Sequence, residues 1–184
     1  MNATSFVLSV ACIAGIAVMQ HCSHSHNSSE PVAHVRNEFE FTIHAPFKTA
    51  APLFGANAER AWAGPEWDPH FLYPRSAEDV PGAVFTVEHG HHHRAAWINT
   101  AFDLEAGHVQ YVYFLNGVII TLIDIHLSPR DASSTAVKVA YERTALSPDA
   151  NDHVRNLGES DRKSAPNWES DFVNYFSKLK TDAR

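Results

Sequence analysis

Residues 151–180 place the tightest limit on what this chain can fold into. Their apolar members are Val154, Leu157, Trp168, Phe172, Tyr175, Phe176 and Leu179. From Trp168 onward these recur at i, i+4, i+7, i+8 and i+11, which is one face of a helix. Glu169, Asp171, Lys178 and Lys180 occupy the other face. A single amphipathic helix is not stable in water, so the rest of the chain must supply an apolar surface for the stripe.

The preceding residues supply strands. Phe39, Phe41 and Ile43 alternate with Glu38, Glu40 and Thr42, the pattern of a half-buried strand over residues 37–44. Pro46 ends it and suits the first turn of a helix. Residues 47–62 carry Pro52 and Gly55, which predicts two short helices and not one long one. An aromatic turn around Trp62 and Trp67 follows, then a short strand at residues 71–73. Five more strands are expected at 83–88, 94–104, 108–115, 118–127 and 135–144. Asn116-Gly117 reads as a two-residue hairpin in which both residues tolerate positive φ. The short links predict antiparallel neighbours.

The chain has 184 residues, 45% of them hydrophobic and 19% charged, enough for one domain with a real core. Its formal net charge of -7 and the absence of any Lys/Arg run argue against a nucleic-acid partner. Residues 6–19 are nearly all apolar and small, so residues 1–20 read as a signal peptide or N-terminal hydrophobic segment. That reading implies a secreted or periplasmic protein, or membrane association through this segment. Residues 21–34 read as a flexible polar linker. Both cysteines, Cys12 and Cys22, precede the domain, which therefore carries neither a disulfide nor thiol chemistry.

The order strand, two short helices, about six strands and a long terminal helix resembles the START-like, or SRPBCC, superfamily. Phe41-Thr-Ile-His-Ala-Pro46, Trp67-Asp-Pro69, the run Trp97 to Asp103, the run Tyr141 to Ser147 and Trp168-Glu169 are similar to bacterial members described as polyketide cyclase/dehydrase-like. The resemblance covers residues 35–180. It implies a helix-grip fold of the α+β class, in which a curved antiparallel sheet of about seven strands wraps around a long C-terminal helix. It also implies a cavity between sheet and helix for a small hydrophobic or lipid-like molecule.

Alternation selects the residues that would face such a cavity. They are Phe85, Trp97, Asn99, Tyr111, Tyr113, Thr121, Ile123 and Tyr141 from the strands, with Trp168, Phe172 and Phe176 from the helix. These side chains either touch a ligand or simply fill the core. Asp124 and His126 fall on the opposite, solvent-side face of their strand.

The chain holds 13 histidines, and His89, His91, His92 and His93 are clustered. His89, His91 and His93 on one side of an extended segment are candidate ligands for zinc or copper. The same cluster also reads as a solvated turn. No phosphate loop, dinucleotide fingerprint or nucleophile elbow is present, so no cofactor is expected. Three readings remain: a binding module for a small hydrophobic molecule or lipid, a cyclase/dehydrase- or hydrolase-type enzyme using the same cavity, and metal handling by the histidines. The enzyme reading requires an inward His, Asp or Glu on the cavity wall, and alternation alone assigns none.

Overall fold

The computed structural model describes residues 30–89 and 93–182. The expected signal segment and most of the expected linker lie outside the described residues, as does His91. Among the described residues no helix is long and apolar enough to cross a membrane.

Seven strands form one antiparallel sheet: β1 (His34–Ile43), β2 (His70–Tyr73), β3 (Val84–His89), β4 (His93–Asp103), β5 (His108–Leu115), β6 (Ile119–Pro129) and β7 (Thr135–Ala145). Their order across the sheet is β1-β7-β6-β5-β4-β3-β2. From β2 to β7 each strand therefore pairs with its sequence neighbours, as short links require. The first strand alone crosses over, to pair with β7 from His34↔Thr144 to Ile43↔Thr135.

A short helix, α1 (Phe47–Ala50), and two 3-10 turns (Ala51–Leu53 and Ala58–Ala61) fill the β1–β2 connection. This is the break that Pro52 and Gly55 require. The inward face of the sheet is the expected one: Phe39, Phe41 and Ile43 on β1; Val109 and Tyr111 on β5; Ile119, Ile123, Ile125 and Leu127 on β6; Val137 and Val139 on β7 are all buried.

Two local expectations are corrected. The single C-terminal helix is two: α2 (Asn151–Asp161) and α3 (Ala165–Asp182). Arg162, Lys163 and Ser164 turn between them, with the Lys163 and Ser164 amides donating to the Ser160 and Asp161 carbonyls. Pro166 explains the break, because inside a continuous helix its ring meets the carbonyl four residues back, whereas the first turn tolerates it. The Asn116-Gly117 hairpin also differs in detail. Only Gly117 takes positive φ, at 70°, and the Val118 amide closes the turn onto the Leu115 carbonyl at 3.0 Å.

The two helices cover different parts of the sheet. On α2, Val154 is fully buried with Ile119 and Ala145. Gly158 lets that helix approach β1, where an added Cβ would lie 3.0 Å from the Asn37 side chain and 3.1 Å from that of Val35. On α3 the stripe is graded. Phe172 is buried, Trp168, Tyr175 and Phe176 are partly so, and Leu179 is exposed. Phe172 stacks on Phe41 at 6.0 Å and Phe54 at 5.6 Å, and sits 4.3 Å from the Trp62 ring.

Residues 30–33, read above as the end of a linker, are tied to the start of α2. The Ala33 amide donates to Asn151 Oδ1 at 2.6 Å, and Asn151 Nδ2 donates to the Pro31 carbonyl and to Glu30.

Candidate functional site

Between the sheet and the β1–β2 connection, and under α3, lies a cavity of about 200 Å³. Four aromatic walls come from strands and turns: Trp67, Trp97, Tyr111 and Tyr141. Ile123 and Ile125 form the floor, Trp62 and Ala63 one side, and Trp168 and Asp171 the helical side. The indoles are pinned from outside. Trp62 Nε1 donates to the Leu53 carbonyl at 2.7 Å and Trp67 Nε1 to the Ala56 carbonyl at 2.9 Å. An adjoining recess of about 290 Å³ shares Trp97, Ile123 and Tyr141 and adds Tyr113, Arg143, His153 and Leu157.

One wall residue is a carboxylic acid. Glu59 sits in the Ala58–Ala61 turn, 6% exposed. Its Oε1 accepts from Tyr111 Oη at 2.7 Å and from the Gly55 amide at 3.3 Å. Burial pushes its pKa up to about 8, against the opposing pull of these two hydrogen bonds. Near neutral pH the group is therefore mainly a neutral acid with a proton to donate. The Tyr111 hydroxyl is pushed well above its ordinary range, by burial first and by the Glu59 charge second, so it stays protonated. Asp79 is also raised by burial, although the Asn57 and Ala58 amides bind its carboxylate at 3.1–3.3 Å. At the rim, desolvation raises Asp171.

Beside the recess, Arg143 makes a two-pronged ion pair with Asp161, both contacts at 2.7 Å. Its Nη1 donates to Thr121 Oγ1 at 3.1 Å, and its guanidinium carbon lies 4.5 Å from the centre of the Tyr141 ring.

The structure sorts the eleven side chains proposed from alternation. Trp97, Tyr111, Ile123, Tyr141 and Trp168 line the main cavity, and Tyr113 lines the recess. Thr121 is buried under Arg143. Asn99 is buried beside Asp79, behind the cavity wall. Phe85 and Phe172 are core residues; Phe85 stacks on Trp97 at 5.9 Å. Phe176 lines a separate shallow groove with His44 and Glu169.

Glu59 was not anticipated, and Asp171, read from the spacing as lying on the opposite face of the helix, stands beside Trp168 at the cavity rim, because three residues along a helix share a side. A signal for Glu59 does exist. It lies three residues before Trp62 and four before Ala63, hence on their helical face, and both of those face the cavity. Of the histidine cluster, His89 and His93 are a cross-strand pair closing β3 onto β4. Their side chains, and residues 90–92, lie outside the described residues.

This sheet with its terminal helices has counterparts among solved structures. The aromatase/cyclase Zhui from Streptomyces sp. R1128 superposes with a TM-score of 0.58 at 13% identity, covering 80% of this chain and 96% of that one. The chain has the helix-grip fold. Norcoclaurine synthase from Thalictrum flavum, in complex with dopamine and hydroxybenzaldehyde, matches with a TM-score of 0.56 at 13% identity, over 99% of both chains. An uncharacterized protein from Rhizobium leguminosarum matches with a TM-score of 0.56 at 15% identity, over 78% of this chain and 97% of that one. No protein-family model matches the sequence, and no curated protein does. The resemblance to the START-like superfamily thus holds at the level of the helix-grip fold, which by itself does not define chemistry.

Proposed function

We propose that this helix-grip protein binds a small, largely aromatic or apolar molecule in the cavity, with one polar group of the ligand meeting Glu59. The observation that carries the reading is the pairing of apolar ring walls with a single buried acid. Such pockets are mostly apolar with a few placed polar groups, which supply orientation. A neutral carboxyl both donates and accepts, so a carbonyl, phenol or neutral amine nitrogen suits it. The volume of about 200 Å³ favours a compact ring system over a long acyl chain. The adjoining recess, ending at Arg143 and His153, offers room for a polar substituent.

A second reading rests on the same carboxyl. An acid with a pKa of about 8 is poised to exchange a proton with a bound substrate near neutral pH. It is the inward acidic group that an enzyme of cyclase or dehydrase type requires. The names of two proteins sharing the fold, an aromatase/cyclase and a synthase, lend this reading support.

The test is native mass spectrometry of the protein from its own host, followed by thermal-shift screening with one- and two-ring phenols, ketones and amines. A retained small aromatic molecule, or stabilisation by at least one compound class, supports binding. If no compound in any class raises Tm and no small molecule co-purifies, the binding reading fails. Turnover of a compound by wild type but not by Glu59→Gln, with binding retained, establishes the catalytic reading.

A further inference from the structure

The outer face of the sheet, opposite the cavity, carries a second cluster. His108 on β5 lies directly across from His126 on β6, and Asp124 precedes His126 by two residues on the same face. The two imidazole rings are parallel to within 3°, with centroids 4.5 Å apart. Both direct Nε2 at one carboxylate: His108 to Asp124 Oδ1 at 2.7 Å, His126 to Oδ2 at 3.1 Å. The three ligating atoms all lie within 4.8 Å of one another.

The geometry points to a divalent transition-metal site formed by His108, Asp124 and His126, of the zinc or copper class, with its remaining coordination positions open to solvent. Two imidazoles and one carboxylate are a poor set for the hard ions magnesium and calcium, which take oxygen ligands, and suit zinc and copper. Zinc–nitrogen and zinc–oxygen bonds of about 2.0–2.2 Å put neighbouring ligand atoms about 3.4 Å apart in a tetrahedral site. Binding an ion would turn the two imidazoles out of their parallel stack, so that both Nε2 lone pairs converge beside the Asp124 carboxylate. The Asp124 and His126 side chains are 27% and 56% exposed, which leaves them room to move.

The surroundings fit an ion. Gln110 Nε2 donates to Asp124 Oδ1 at 3.0 Å and orients the carboxylate, as outer partners of metal ligands do. Lys138, the β7 neighbour of His126, is turned away, giving its Nζ to Glu38 at 2.9 Å. Asp103, opposite His108, accepts the Glu105 and Ala106 amides at Oδ1 and adds negative charge beside the cluster. The ligands stand on two adjacent inner strands, so the backbone holds them in register before any ion arrives. An ion here also clasps β5 to β6 at the level of Ile123 and Ile125, whose side chains form the cavity floor on the other face.

The full-length chain, made without an affinity tag, is titrated with zinc alone by calorimetry while histidine side-chain resonances are followed by NMR. Four chains are compared: wild type, His108→Gln/His126→Gln, the loop variant His91→Gln/His92→Gln, and Gln110→Ala. The proposal expects one equivalent of zinc to move the Nε2 resonances of both His108 and His126. It also expects the loop variant to retain that ion, and the strand variant to bind it at least tenfold more weakly. Gln110→Ala should weaken binding by about tenfold without removing a ligand. Two results overturn the proposal: unmoved His108 and His126 resonances at one equivalent, or a strand variant that binds zinc as wild type does. If only the loop variant loses the ion, the metal belongs to the loop and the proposal fails. Circular dichroism and Tm in metal-free buffer confirm that each variant is folded.

Discussion

Tyr111 Oη donates to Glu59 Oε1 at 2.7 Å, joining residues 52 apart in sequence. This bond couples the β1–β2 connection to the centre of the sheet. It also places a titratable group in the cavity without a counter-charge.

The Glu59 carboxyl makes stability depend on pH with a definite sign. Its pKa in the folded state is about 8, against 4.5 for the free group. Between these values the folded chain holds a proton that the unfolded chain has released, so this group's contribution falls as pH rises. It is fully present below about pH 4.5 and lost as pH passes 8. Glu59→Gln should flatten that limb, stabilising the protein at pH 9 by on the order of a few kcal/mol relative to wild type. Urea unfolding at pH 5, 7 and 9 measures it; equal slopes against pH for both proteins count against a buried neutral acid.

Filling the cavity should abolish ligand binding and spare the fold. Ala63 lies on the wall and is only partly buried. Ala63→Phe directs a ring into the cavity, so Tm stays near the wild-type value while any ligand-induced rise disappears. A variant whose ligand response is unchanged would move the binding site elsewhere.

The Arg143–Asp161 pair fastens the end of α2 to β7, with side chains 11% and 6% exposed. Asp161→Ala leaves a nearly buried guanidinium without its partner, which should cost about 3–5 kcal/mol. Replacing both, as Arg143→Met with Asp161→Leu, should recover most of the loss. Chemical denaturation of the three proteins separates the two effects.

Two glycines with similar φ should respond differently to alanine. At Gly107 (φ 69°) an added Cβ would lie 2.2 Å from the Leu127 carbonyl oxygen, a backbone atom that cannot rotate away. At Gly117 (φ 70°) no atom lies within 4 Å. Gly117→Ala should therefore cost only the left-handed backbone penalty, about 1–2 kcal/mol. Gly107→Ala should cost clearly more, as measured by the shift in denaturation midpoint.

The candidate site was partly legible in the sequence. Trp97, Tyr111, Ile123 and Tyr141 follow from period-two alternation because the strands are long and have one wet face. Thr121 and Phe85 satisfy the same alternation yet lie beneath the cavity wall, since alternation selects a face and not a depth. Glu59 was missed because its turn is short and sets it beside Arg60, so the local sequence reads like a solvated corner. Its distant partner is Tyr111 on β5, 52 residues away in the chain.

The sequence by itself determined the order and facing of the strands, because a backbone of period two must send its apolar side chains to one side. It also determined that residues 168–179 form an amphipathic helix, because their spacing closes only at the helical period. Tertiary structure alone decided where that helix begins relative to its predecessor, which walls enclose a space, and which acid is stripped of water. It likewise decided that His108 and His126 share one carboxylate. These are relations between residues brought together by β-pairing and packing, and nothing in a local window encodes a distance across the sheet.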